Sequence, residues 1–170
     1  MPFETVRRNL LLLDTGPIWE LILFRAVQQL RFENLRRELR FFRDRASYDR
    51  CNRFILSFRQ RMTSPSVVLE LYHRIRDTNR SGQAELRGLI HEEFMDLSID
   101  EDFVKLVEMP RESVVKLGPA DVSLIKLAVR NRERGPFVLT IESDESHLWA
   151  ECKRAHVNVN ILEEVLAQPD

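Results

Sequence analysis

The chain has 170 residues, 44% of them hydrophobic and 31% charged, with a formal net charge of −1. That length gives a single domain over 1–170 with a core of its own, and two cysteines, Cys51 and Cys152, supply neither a disulfide framework nor zinc-finger spacing. No apolar run reaches the roughly 18–20 residues of a membrane span, and Leu10–Leu13 behind Arg7 and Arg8 is too short for a secretory signal, so a cytoplasmic protein with no membrane partner is expected.

Asn9 to Asp14 reads as a buried strand, a short apolar run ended by Thr15-Gly16-Pro17. Pro17 suits a first helical turn, and Ile18, Leu21, Ile22 and Val27 follow at helical spacing. Residues 25–61 then hold eleven arginines against Glu33, Glu38, Asp44 and Asp49, a local charge of +7 that leaves −8 for the rest. Apolar positions recur there every three or four residues, which predicts amphipathic helices with arginines on the wet face and the aromatics Phe32, Phe41, Phe42, Tyr48, Phe54 and Phe58 mostly packed inside. Val67 to Ile75 predicts another helix capped by Ser64 or Ser66, and Ala84 to Met95 a further one after a Ser81-Gly82 turn. Phe103–Val107 reads as a short strand. Gly118-Pro119 opens a helix to about Arg134, Phe137–Thr140 forms a strand, Ser146–Ala155 a helix, and Val157–Leu162 a last strand. Apolar strands alternating with helices predict an α/β protein with a parallel sheet covered on both faces.

Several carboxylates fall where this architecture collects ligands, outside the carboxyl ends of the strands. Asp14 ends the first strand, and Glu142 or Asp144 follows the strand that closes at Thr140. Asp121 lies in a first helical turn, and Glu70 sits among Val67, Val68, Leu69 and Leu71. Acids brought together repel one another, and a hard divalent cation, Mg²⁺ or Mn²⁺, is the usual compensation. Each acid also has an ordinary explanation: Asp14 as a helix cap, Asp121 as a dipole partner, Glu70 as an i,i+4 partner of Arg74.

Four blocks in this order resemble the PIN-domain ribonucleases, the family that includes VapC-type toxins. They are Leu11-Leu12-Leu13-Asp14-Thr15-Gly16-Pro17-Ile18, Ser64 to Leu71 with Glu70, Gly118 to Ala128 with Asp121, and Val138-Leu139-Thr140 followed by acids. The resemblance implies a three-layer α/β/α sandwich enlarged by the Arg-rich helical insertion at 25–61. It also implies a metal-dependent endoribonuclease with Asp14, Glu70, Asp121, Glu142 and Asp144 as catalytic acids. Asp14, Asp121 and Glu142 or Asp144 would hold Mg²⁺ or Mn²⁺, supported by Thr15 and Thr140. Glu142 has the family's offset from Thr140 and Asp144 its residue type, so either one, or both together, would supply the fourth ligand. RNA is the implied substrate, with an antitoxin protein and a second copy of the chain as implied partners.

An acidic site repels the polyanion it would cut, so basic surface must offset it, and Arg36, Arg37 and Arg40 are the candidates. Three rivals stand beside this reading, and one of them, a receiver-like or flavin-binding α/β domain, lacks the Gly-rich phosphate loop it would need. Leu12 to Gly16 also matches the aspartic-protease loop, but that site needs two copies in a strand-rich fold and this chain has one. The third rival is a PIN-like module with a weakened fourth acid that binds RNA or protein without cutting.

Overall fold

Leu10–Leu13 form the first strand, β1, and all four side chains are fully buried, as a strand covered on both faces requires. The computed structural model describes residues 9–78, 82–143 and 146–168. The other strands are β2 (Gln60–Thr63), β3 (Ile99–Glu101), β4 (Pro136–Thr140) and β5 (Asn158–Ile161). They make one sheet in the order β3-β2-β1-β4-β5, with every pairing parallel. The helices are α1 (Thr15–Gln29), α2 (Arg45–Leu56), α3 (Pro65–Thr78), α4 (Gln83–Asp96), α5 (Arg111–Leu117), α6 (Pro119–Arg130), α7 (His147–Arg154) and α8 (Leu162–Ala167). They flank the sheet, so the protein is an α/β, three-layer α/β/α sandwich.

The strand order decides where a site can form. From β1 the chain steps outward to β2 and β3, then returns to the other side of β1 and continues through β4 to β5. The connections leaving β1 and β4 therefore diverge, and a crevice opens above their carboxyl ends. Leu13 pairs with Leu139, and the Asp14 N–H donates to the Leu139 carbonyl at 3.1 Å. That register sets Asp14 beside Thr140.

α1 is apolar nearly all round, and every residue from Thr15 to Val27 is buried, the signature of a helix inside the molecule. It touches α3, α4 and β4. α3 and α6 also meet, which carries Glu70 and Asp121 to the same rim.

Three expectations need correction. Of the one or two amphipathic helices expected in the Arg-rich segment, α2 is present, but the rest of it holds the end of α1, a 3-10 turn at Glu33–Glu38, an irregular stretch and the start of β2. β2 lies hidden there because Gln60-Arg61-Met62-Thr63 has one apolar residue, and the strand is held by backbone pairing to β1 and β3. Phe103–Val107 is not a strand; β3 lies just before it, and Phe103 and Val107 are exposed. The helix opened by Gly118-Pro119 stops at Arg130 and is followed by a 3-10 turn, Arg132–Arg134.

Candidate active site

Asp14 is the N-cap of α1, in extended backbone conformation and only 6% exposed. One carboxyl oxygen accepts from the Thr15 N–H at 2.6 Å and the other from the Thr140 hydroxyl at 2.8 Å. The capping role is therefore real, and it fixes the carboxyl group at the mouth of the crevice. Thr140 Oγ1 also accepts from the Glu142 N–H at 3.1 Å. One buried hydroxyl thus ties Asp14 to the backbone that presents Glu142.

The other acids arrive from separate elements. Asp121 is half-buried in the first turn of α6, behind Gly118 at φ 89°, ψ 162°, a conformation that is essentially glycine's alone. Glu70 comes from the second turn of α3. A hydroxyl relay joins those two helices: Ser64 Oγ pairs with Ser123 Oγ, Ser123 donates to the Ala120 carbonyl at 2.6 Å, and Ser64 Oγ accepts from the Val67 N–H at 3.3 Å. Both serines are buried, so the relay holds the α3 and α6 N-termini together beneath the acids.

Asp14, Glu70, Asp121 and Glu142 line one cleft of about 480 Å³, with Thr15, Gly16, Arg40, Arg74 and Gly118 among the other walls. Asp144 lies outside the described residues. Burial pushes the Asp14 carboxyl up from its ordinary 3.8 to about 6, against the pull of the Thr140 and Thr15 hydrogen bonds. Asp121 is pushed to about 8, first by burial and then by the charges of Asp14, Glu142 and Glu70. These acids feel one another, and near neutrality Asp121 retains its proton for want of positive charge while Asp14 is mostly ionised.

Glu70 is less buried than its apolar neighbours suggested. Its side chain is 40% exposed and forms the i,i+4 ion pair with Arg74 at 2.9 Å. The buried glutamates are elsewhere. Glu20, 2% exposed in α1, accepts from the Arg40 and Phe41 N–H groups at 3.1–3.2 Å and so pins the Arg-rich segment to the helix core. Glu93, 1% exposed in α4, pairs with Arg25 at 2.9 Å. Arg25 therefore belongs to the core. Arg36 pairs with Glu33 at 2.8 Å on exposed surface and lines no part of the cleft, whereas Arg40 does. Arg37 lies in the adjoining groove.

The donor set fits a hard cation in kind. All the acids offer oxygen, and the buried Thr15 hydroxyl beside them has no hydrogen-bond partner. Among the described residues, no three acidic, histidine or cysteine side chains stand close enough to ligate one ion. No described helix is long and apolar enough to cross a membrane. Comparison with family models, curated proteins and solved structures finds no match, so the resemblance to PIN-domain nucleases rests on the quoted residues alone.

Proposed function

We propose that the protein is a metal-dependent endoribonuclease that hydrolyses RNA phosphodiester bonds. The observation that supports this most directly is the gathering of Asp14, Glu70, Asp121 and Glu142, far apart in sequence, in one cleft at the β1–β4 crevice. Asp14, Asp121 and Glu142 would hold Mg²⁺ or Mn²⁺, with Asp144 as the further candidate. When bound, such an ion lowers the pKa of its water and neutralises charge on the phosphate.

The chain's own groups have separable tasks. The Thr140 hydroxyl and Thr15 N–H hold both Asp14 oxygens in fixed directions, so the carboxylate loses little entropy when it engages a ligand. The Ser64–Ser123 relay fixes α3 against α6. Glu70, partly exposed and paired with Arg74, is placed to accept a proton from a nucleophilic water, while the Arg74 guanidinium offers donors to a phosphate oxygen. The toxin role, the antitoxin partner and the homodimer belong to this proposal through the sequence resemblance.

The test is incubation of single-stranded RNA with the protein under Mn²⁺, Mg²⁺ or EDTA. Cleavage with either metal and none in EDTA is expected. Asp14→Asn and Asp121→Asn should each reduce cleavage by at least about a hundredfold. Intact RNA under both metals would instead favour the non-cutting module, which the spread of the described acids supports.

A further inference from the structure

A second groove of about 530 Å³ continues from the acidic cleft and shares Arg40, Arg74 and Ile141 with it. Its floor includes the buried Trp19, and its walls include Arg37, Arg40, Arg74, Glu20 and Glu38. The three arginines come from two separate parts of the chain, the segment after α1 and the α3 helix. Arg37 and Arg40 are exposed, and among the described residues neither guanidinium makes a hydrogen bond or ion pair. This contrasts with Arg25, Arg36, Arg45 and Arg130, which are all paired with carboxylates.

The carboxylates around the groove offset only part of this charge, Glu70 being the ion-pair partner of Arg74. Both Glu20 oxygens are taken up by backbone N–H groups of Arg40 and Phe41, so Glu20 holds the Arg40 backbone in place; it feels the Arg40 charge but forms no ion pair with the guanidinium. Glu38 remains as the opposing charge. The free donors of Arg37 and Arg40, beside an Arg74 already paired with Glu70, suit phosphate oxygens, and a groove leading straight into an acidic cleft is where a polyanion would otherwise be repelled.

We infer that this groove is a phosphate subsite for an RNA strand, in which Arg37, Arg40 and Arg74 grip the backbone beside the bond lying over the acids. The inference rests on the nuclease reading for the identity of its occupant. Arg36 has no part in it.

The experiment is fluorescence anisotropy of a labelled ten-nucleotide oligouridylate with the full chain in EDTA, over a range of salt concentrations, so that no cleavage is needed. Arg37→Ala and Arg40→Ala should each weaken binding about three- to tenfold and flatten the log–log salt slope by about 0.7 per lost contact. Arg36→Ala should stay within about twofold, and Glu38→Gln should tighten binding about twofold. Wild-type affinity in both Arg37→Ala and Arg40→Ala, or no binding by the native chain, overturns the subsite whatever the cleavage assay shows. Equally tight, arginine-dependent binding of a polyglutamate peptide also overturns it, because the groove would then read charge and not phosphate. Arginine-dependent RNA binding without metal-dependent cleavage keeps the subsite and removes the nuclease reading.

Discussion

Asp14 and Asp121 carry the most informative chemistry of any single residues. Both pKa values are raised by burial, from 3.8 to about 6 and about 8. The folded protein therefore holds protons that the unfolded chain gives up near 3.8. By linkage, the contribution of these two groups to stability without metal is fully present below about pH 4 and is lost as pH rises to about 8. Urea midpoints in EDTA at pH 5 and pH 8 should show this decline, and Asp121→Asn should flatten its upper part; a midpoint that climbs with pH would contradict the geometry. Gly16 has a different constraint. A Cβ there would lie 2.4 Å from Ile141 Cγ1, so Gly16→Ala must push Ile141, the neighbour of Glu142. A loss of about 1–2 kcal/mol is expected by chemical denaturation, the gain in helix propensity offsetting only part of the overpacking. Single residues also show how far sequence reasoning reaches. Apolar neighbours singled out Glu70, yet the same argument applies with more force to Glu20, between Trp19 and Leu21, which is the one that is buried. Neighbours in sequence do not report which face of a helix points inward.

At the scale of elements, one buried polar cluster joins three of them. Arg25 of α1 reaches Glu92, Glu93 and Asp96 of α4 at 2.7–3.0 Å, and Tyr48 of α2 approaches Glu93 at 3.4 Å. Phe24, Phe42 and Tyr48 pack beside it, with Phe24 and Tyr48 stacked 4.8 Å apart, so the aromatics of the Arg-rich segment serve the core as their spacing suggests. Arg25→Ala would strand the buried Glu93 and should cost about 3–5 kcal/mol. Adding Glu93→Gln should recover part of that loss, and a double-mutant cycle by urea unfolding measures the coupling. The Ser64–Ser123 relay makes a subtler claim. Ser123→Ala should lower stability by about 1–2 kcal/mol, and if the relay positions Glu70 and Asp121 it should also lower kcat for RNA with little change in KM. β2 illustrates an element invisible to periodicity. Its arginine and glutamine read as more wet helix face, and only the hydrogen-bonded partners on either side make it a strand.

For the molecule as a whole, the uneven charge acquires a layout. Part of the basic segment is consumed internally by Arg25 and locally by Arg36 and Arg45, while Arg37 and Arg40 stand beside the acidic cleft. A ligand that binds only the folded state stabilises it by mass action, by about 2.7 kcal/mol at a hundred times its Kd. If the acids hold a cation as proposed, saturating Mn²⁺ or Mg²⁺ at pH 7.5 should raise Tm by several degrees and reduce the fall in stability with pH, because the cation would compensate the charges that otherwise keep a proton on Asp121. Asp14→Asn should lose most of that shift. Thermal unfolding with and without metal reads both effects.

The order of apolar runs and their helical intervals was enough to establish an α/β protein with a parallel sheet, because alternation of periods is a local property of the chain. The acids at the strand ends were visible for the same reason: a strand that stops at Asp14 or Thr140 stops at one edge of any parallel sheet. What only tertiary structure decided was adjacency. The β1–β4 switch point, the meeting of α3 with α6, the burial of Glu20, and the separation of Arg37 and Arg40 from Arg36 all depend on contacts between residues distant in the chain, and no window of neighbouring residues contains them.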